Sequence, residues 1–177
     1  MIYRGPNFRS RRRRGFTLVE AALTTVIVGV GVMATMSLFA ACSQQNMSAS
    51  EMTTAMELAT NIQEAMANMA FADPIKGTSN FGPESGETLS NYNDVDDFDG
   101  KTINPPMDSL RNSISTMSQY SQVIAVDPVD PNQMSVTLPK TITNRTAVRV
   151  TVKVLYTRVA GGASQEVYRT TWVRTSE

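Results

Sequence analysis

The sequence predicts an α+β protein in which one long N-terminal helix packs on a C-terminal antiparallel sheet of about four strands. Three patterns in the 177 residues lead to this expectation. An uncharged apolar run covers residues 21–42, an apolar stripe with helical spacing continues toward residue 72, and polar and apolar side chains alternate within residues 120–177. A chain of this length accommodates one ordinary domain together with a membrane segment.

The first element is predicted to cross a membrane once. Residues 21–42 contain no charged side chain, and a helix of this length extends about 33 Å, enough to span a hydrocarbon core of roughly 30 Å. The run is also longer than the apolar part of a secretory signal peptide, about 7–15 residues. Four consecutive arginines, Arg11 to Arg14, precede it, so the positive-inside rule predicts a cytoplasmic N-terminus and a body outside the cytoplasmic membrane.

The helix is predicted to continue beyond the membrane as an amphipathic segment over residues 43–72. Apolar side chains recur there at intervals of three and four residues: Met52, Met56, Ala59, Ile62, Met66 and Met69. No glycine or proline interrupts residues 32–72, and Asp73 followed by Pro74 supplies a stop. We therefore expect one helix over residues 17–72, whose apolar stripe covers one face of the sheet.

The segment after the helix is predicted to be irregular. Residues 73–119 are rich in Pro, Gly, Ser, Asn and Asp, which is typical of a long variable loop. One short helical turn is expected around residues 106–117.

The last part of the chain, residues 120–177, predicts the antiparallel sheet. The strand candidates are residues 121–126, 133–138, 147–159 and 165–173, with turns at residues 127–131 and at Gly161-Gly162. In the third of these strands one face carries Val148, Val150, Val152, Val154 and Tyr156. The sheet is therefore expected to have one wet face and one face that the helix covers.

The charge of the chain is distributed unevenly. Six of the 16 basic residues, Arg4, Arg9 and Arg11 to Arg14, precede Gly15, whereas all 16 acidic residues follow it. A chain cut after Gly15 keeps ten basic and 16 acidic side chains, a net charge of −6. An acidic body argues against a general nucleic-acid binder, because binding phosphates requires positive charge.

The composition also restricts catalysis. The sequence contains no histidine and a single cysteine, Cys42, so it excludes imidazole chemistry, an internal disulfide and a cysteine-type zinc site. It contains no nucleophile motif and no phosphate-binding loop. We therefore do not expect an enzyme.

The most specific segment of the sequence directly precedes the apolar run and reads Gly15-Phe16-Thr17-Leu18-Val19-Glu20. It resembles the type III signal of type IV prepilins and of the related pseudopilins of type II secretion. That signal combines a basic leader, a glycine at the cut, an apolar residue after it and a glutamate at the fifth mature position. The resemblance implies the type IV pilin-like fold, removal of leader residues 1–15 by a prepilin peptidase, and N-methylation of Phe16.

Glu20 is predicted to form a charge pair during assembly. An unpaired charge within the apolar region of a membrane costs at least ~2.5 kcal/mol, so an ionisable side chain there suggests a function. The resemblance supplies the partner, because cleavage frees the amine of Phe16 and Glu20 can neutralise that amine on a neighbouring subunit. A buried carboxylate and ammonium are tolerated only together.

The resemblance further implies that residues 16–42 become the core of a helical filament. Gly29 and Gly31 are candidate helix-packing positions, because small residues let helices approach closely. The implied partners are the prepilin peptidase, other pilin or pseudopilin subunits, an inner-membrane assembly platform and membrane lipid. The lack of the disulfide loop common in major pilins favours a minor subunit, of either a secretion pseudopilus or a pilus.

A second segment of interest is the acidic run at residues 91–100. Its aspartates, Asp94, Asp96, Asp97 and Asp99, are followed by Gly100, a pattern that suggests calcium ligation by hard oxygens. The spacing departs from an EF-hand loop, and a solvated acidic turn is the alternative interpretation.

A lipoprotein is the alternative from another functional class. Residues 38–42, Leu-Phe-Ala-Ala-Cys, resemble a lipobox in which Cys42 is acylated. Against this interpretation, Glu20 would lie inside the apolar region of the signal, and the helical stripe continues past Cys42.

Overall fold

The computed structural model describes residues 15–158 and 161–176. It contains helix α1 (Leu18–Ala67) and strands β1 (Thr102–Ile103), β2 (Tyr120–Asp130), β3 (Gln133–Thr137), β4 (Ala147–Tyr156) and β5 (Gln165–Thr175). Two 3-10 turns lie at Asp96–Phe98 and Ser115–Met117, the second within the predicted helical turn. The chain divides into two compact units, the first ending at Asn46 and the second beginning at Met47. The expected α+β layout of the type IV pilin-like fold is confirmed.

Helix α1 ends at Ala67, five residues before the predicted end at residue 72. The guanidinium of Arg174, on β5, donates hydrogen bonds to the carbonyl oxygens of Met66 (2.7 Å), Ala67 (2.9 Å) and Met69 (2.7 Å). The last carbonyls of a helix lack intrahelical partners, and a cation is favourable at this negative end of the helix dipole. A side chain distant in sequence therefore satisfies the end of α1.

The apolar stripe of α1 is rotated relative to the predicted one. The buried apolar positions, which we call the buried stripe, are Ala55, Leu58, Ala59, Ile62, Met66 and, just beyond the helix, Met69. Met52 and Met56 were predicted to belong to it, but they are 47% and 44% exposed. At about 100° per residue, Met56 lies roughly 120° from Ile62, whereas Ala55 lies within about 20° of it. The predicted stripe and the observed one both have three- and four-residue spacing. Periodicity alone therefore does not tell which face of the helix is buried.

The sheet contains five strands rather than four and is antiparallel throughout. Its order is β1-β2-β4-β5, with β3 pairing onto β2. The additional strand, β1, has two residues and lies within the predicted loop, where Thr102 pairs with Val123. So short a strand leaves no alternation of side chains to detect in the sequence.

Strand β2 continues through residues 127–130, where a turn was predicted, and its register against β3 is irregular between Val129 and Asp130. Pro128 cannot donate a ladder hydrogen bond, but the pairing of β2 with β4 ends at Pro128, opposite Val148. The carbonyl of Pro128 accepts a hydrogen bond from the N–H of Leu138, at 2.7 Å, and Val129 and Asp130 then pair with β3. Pro128 thus lies where β2 stops pairing with β4 and starts pairing with β3. The chain reverses three residues later, at Pro131 and Asn132.

One hydrophobic core joins the second half of α1 to the sheet. Val148, Val150, Val152 and Val154 are fully buried on β4, as their alternation predicted. They share the core with Ile124 of β2 and with the buried stripe. Fully burying one such side chain contributes about 1.5–3 kcal/mol, so this contact dominates the stability of the second unit.

A buried amide lies inside this core. Gln122, on the inward face of β2, donates from Nε2 to the carbonyls of Leu58 (2.8 Å) and Met107 (3.0 Å), and its Oε1 accepts from the N–H of Met107 at 2.8 Å. One side chain therefore links helix, sheet and the segment before β2. A buried polar group is tolerated in a core when its hydrogen bonds are made, as they are here.

We predict that Gln122→Leu lowers the free energy of unfolding by roughly 1–3 kcal/mol, because the buried N–H of Met107 loses its acceptor. Denaturant unfolding of the full chain in detergent, followed by the fluorescence of its single tryptophan, Trp172, measures this change. Gln133→Leu on β3, where the side chain is exposed, is the matched control and should change stability by no more than about 0.5 kcal/mol. Equal stabilities for the two variants would contradict the prediction.

Candidate functional site

The candidate site at the start of α1 is organised by a helix cap. Gly15, Phe16 and Thr17 precede the helix, and Oγ1 of Thr17 accepts a hydrogen bond from the N–H of Glu20 at 3.2 Å. The carbonyl of Thr17 accepts from the N–H of Ala21 at 3.1 Å. Thr17 is therefore the N-cap and Glu20 the third helical residue, the spacing of a capping box. The prediction began the helix at residue 17 and missed this role, although Thr-x-x-Glu is visible in the sequence.

Glu20 is exposed in the first turn of α1. A negative side chain in the first turn is favoured by the positive end of the helix dipole, which gives the residue a local electrostatic role. Phe16, Leu18 and Val19 around it are 73%, 88% and 78% exposed. The carboxylate and its apolar surroundings are thus open to groups from other molecules.

Helix α1 is long and apolar enough to cross a membrane, and among the described residues it is the one helix with this property. Its apolar part contains four hydroxyl side chains, and each donates to the carbonyl four residues earlier: Thr24 to Glu20, Thr25 to Ala21, Thr35 to Gly31 and Ser37 to Met33. In lipid every polar group must find its partner within the protein. These hydroxyls meet that requirement inside the helix itself, which fits membrane anchoring.

Gly29 and Gly31 lie in the same apolar part. A Cβ added at either position would meet no atom within 4 Å, so packing within the chain does not require glycine there. Two residues apart on a helix are about 200° apart, so the two glycines lie on nearly opposite sides of α1. Their role in packing between helices remains a prediction.

Cys42 is exposed and lies within α1, which continues to Ala67. Residues 1–14 of the predicted leader, including Arg11 to Arg14, lie outside the described residues.

The comparisons with known proteins agree with this geometry. The model of the prokaryotic N-terminal methylation motif matches residues 10–39. The comparisons with the curated proteins and with the solved structures each found no match. The chain therefore carries the type IV pilin-type signal at its N-terminus, followed by the long apolar helix that this signal accompanies. The motif supports a processed, pilin-like structural subunit and implies a prepilin peptidase and other pilin subunits as partners.

The acidic run forms a second site, which we name the acidic cluster: Asp94, Asp96 and Asp97, 1%, 2% and 0% exposed. Each offers a carboxylate oxygen, and these oxygens lie within 4.8 Å of one another. Burial raises the pKa of Asp94 to about 8, and the neighbouring charges of Asp96 and Asp97 act in the same direction. Burial also raises the pKa of Asp96, opposed by the N–H of Gly82 and the charge of Arg145.

Asp99 was predicted to share this site, but the structure places its carboxylate elsewhere. Its Oδ2 lies 2.6 Å from Nζ of Lys140, and its Oδ1 accepts from the N–H of Val126 at 3.0 Å. The 3-10 turn at Asp96–Phe98 lies between Asp94 and Asp99 and turns the chain, so the four carboxylates do not all meet at one place. Asp99 therefore holds the loop to β2.

Arg145 is the buried cation beside the acidic cluster. Its guanidinium pairs with Oδ2 of Asp96 and donates a hydrogen bond to the carbonyl of Thr78 at 2.8 Å. The central carbon of the guanidinium lies over the ring of Phe81, 5.0 Å from the ring centre. The N–H of Gly82 donates to Oδ1 of Asp96 at 2.9 Å, from a backbone with φ +86° that favours glycine. Sequence reasoning did not find Arg145, because 49 residues separate it from its partner.

A further acidic group, Asp73, Glu84 and Glu87, also brings carboxylate oxygens within 4.8 Å of one another. Asn93 links it to the acidic cluster: its N–H donates to Oδ2 of Asp97 at 2.9 Å, and its Nδ2 donates to Oε1 of Glu87 at 3.0 Å. Glu84 lies 3.7 Å from Nζ of Lys76.

We predict that Arg145→Met destabilises the protein by about 3–5 kcal/mol, because it leaves Asp96 buried without its counter-ion. Arg158→Met is the control, since Arg158 is 60% exposed and lies 3.8 Å from Glu51; it should cost no more than about 1 kcal/mol. The double variant Arg145→Met/Asp96→Asn should recover part of the loss, which denaturant unfolding measures. Additive losses in the double variant would show that the two side chains do not depend on each other.

Proposed function

We propose that this protein is a minor structural subunit that is cut after Gly15 and then assembles into a type II secretion pseudopilus or a type IV pilus. The observation that carries the proposal is the methylation motif at residues 10–39. The capped, lipid-compatible helix beginning at Leu18 and the sheet that covers its second half support the same function. The genes that neighbour the gene for this protein would distinguish a pseudopilus from a pilus, because a retraction ATPase is expected only with a pilus.

Gly15 is the proposed residue before the cut. A Cβ at this position would meet no atom within 4 Å, so the folded chain has no steric need for glycine. Its small size instead suits a peptidase that must bind the backbone closely on both sides of the Gly15–Phe16 bond. Because Phe16 precedes the helix, this bond is not shielded by helical hydrogen bonds.

The proposed assembly contact joins Glu20 of one subunit to the methylated amine of Phe16 on another. Both groups enter an apolar environment when α1 moves from the membrane into a filament, and each alone would leave an unpaired charge. The pair would therefore align neighbouring subunits as well as attract them. Gly29 and Gly31 would let helices from other subunits approach α1 on two sides.

In this proposal the N-terminus is cytoplasmic, α1 crosses the inner membrane once, and the body lies outside. An assembly platform in the inner membrane extracts the subunit from lipid. The alternative, a lipoprotein acylated at Cys42, is less well supported. Acylation would require a new N-terminus at Cys42, in the middle of a continuous helix. Labelled palmitate separates the two, since a pilin-like subunit stays unlabelled.

We predict that Glu20→Ala is still cleaved after Gly15 but enters filaments roughly tenfold less or worse, because the Phe16 amine loses its counter-ion. Quantitative blotting of sheared filaments against the membrane fraction measures incorporation. Glu57→Ala, an exposed glutamate farther along α1, is the control and should assemble normally. Normal incorporation of Glu20→Ala would overturn the charge-pair proposal.

We also predict that Gly15→Phe blocks maturation, whereas Gly29→Ala, another glycine with open space at Cβ, is processed normally. Mass spectrometry of the N-terminus should find methylated Phe16 in the parent protein and Met1 in the Gly15 variant. A native protein that begins at Met1 would refute processing.

A further inference from the structure

The acidic cluster contains more negative charge than its buried surroundings neutralise. Three carboxylates, Asp94, Asp96 and Asp97, are almost completely inaccessible to solvent, and Arg145 pairs with only one of them. Buried charges are stable only when they are paired or coordinate a metal. Among the described residues, Asp94 and Asp97 have no basic side chain within ion-pair distance.

The hydrogen bonds of the cluster leave one fully buried oxygen without a partner. Asp96 uses both oxygens, one for Gly82 and one for Arg145. Oδ1 of Asp94 accepts the N–H groups of Asp96 (2.9 Å) and Asp97 (3.2 Å). Oδ2 of Asp97 accepts those of Asn93 (2.9 Å) and Asp94 (3.3 Å), whereas its Oδ1 is buried and unpartnered.

An unpartnered carboxylate oxygen in a fully buried residue is rare, because it loses its hydration and gains nothing in return. Among the described residues three buried side-chain atoms lack a partner: Oδ1 of Asp97, Oε2 of Glu84 and Nε of Arg145. Of the two carboxylate oxygens, only that of Asp97 belongs to a residue with 0% exposure. Backbone N–H groups hold the other oxygen of Asp97, so Oδ1 is the acceptor that stays free.

We propose that Asp94, Asp96 and Asp97 bind a calcium ion, with Oδ1 of Asp97 as one of its ligands. The donors are hard carboxylate oxygens, which suit calcium and magnesium and not the softer transition metals. Magnesium keeps several waters in a strict octahedron, whereas calcium accepts six to eight oxygens in flexible geometry, including multiple carboxylates. A crowded, buried set of three carboxylates therefore favours calcium.

The ion would act as a structural element of the segment between α1 and β1. Asp94 is paired through a backbone bridge with Ala70, and Asp96 is joined through Arg145 to the chain just before β4. Neutralising the cluster would therefore stabilise the attachment of this segment to both the end of the helix and the sheet. The proposal concerns the folded body and stands independently of processing and assembly.

The test is thermal unfolding of the full chain in detergent, followed by Trp172, after treatment with EDTA and then with calcium chloride or magnesium chloride. If calcium is present at about 100 times its dissociation constant, we expect the midpoint to rise by roughly 5–10 °C. Magnesium at the same concentration should produce a clearly smaller rise. An unchanged midpoint with calcium, or an equal rise with magnesium, would overturn the proposal.

Two matched variants locate the site. Asp97→Asn keeps the shape of the side chain and its acceptor for backbone N–H groups, but it removes the charge, so the calcium-dependent rise should disappear. In EDTA this variant should unfold at the parent temperature or above it, because like-charge repulsion is relieved, which separates lost binding from misfolding. Glu84→Gln alters the other acidic group and should keep the rise. A rise that survives Asp97→Asn, or that Glu84→Gln abolishes, would refute this site.

Discussion

The contact between the buried stripe of α1 and the inner face of the sheet determines how the second unit is built. The sheet presents a row of fully buried valines on β4, which must be removed from water. Residues 55–66 of α1 provide the matching helical surface, and Gln122 connects the two layers through hydrogen bonds at their centre. The N-terminal part of α1 is under a different constraint, because its side chains are exposed along residues 18–50. One helix therefore serves protein packing at one end and an external apolar environment at the other.

The elements governed by local pattern could be predicted from the sequence, whereas those that depend on distant partners could not. The apolar run, the alternation in β4 and the segment Gly15 to Glu20 each carry a complete signal within a few residues. The end of α1 depends on Arg174, 105 to 108 residues away, and the passage of β2 through Pro128 depends on the exchange of partner strands. The acidic cluster is an intermediate case, because its aspartates are visible in the sequence. The turn that separates Asp99 from them is not, and neither is the pairing of Arg145 with Asp96.

The acidic cluster also illustrates how the loop region obtains its order. Residues 73–119 contain little regular structure, so few ladder hydrogen bonds hold them. Side-chain carboxylates instead accept backbone N–H groups within the loop, as Asp94, Asp97 and Asp73 do. This arrangement concentrates negative charge in a small volume, and each buried carboxylate then needs compensation. Arg145 provides it for Asp96, and the calcium ion proposed above would provide it for the other two carboxylates.

Several features at the start of α1 and along its apolar part are not explained by contacts within the described chain. Glycine at positions 15, 29 and 31 has no steric cause within the described structure. The hydroxyls of the apolar part are satisfied internally, so lipid or neighbouring helices can surround it at little polar cost. Glu20 is the exception, because among the described residues its carboxylate has no ion-pair partner and its charge would stay unpaired once solvent is removed. In the proposed assembly a cation from another subunit would neutralise Glu20, and the amine freed by the proposed cut before Phe16 would bring that cation to the same depth in every subunit. Processing would then supply the positive charge that assembly requires.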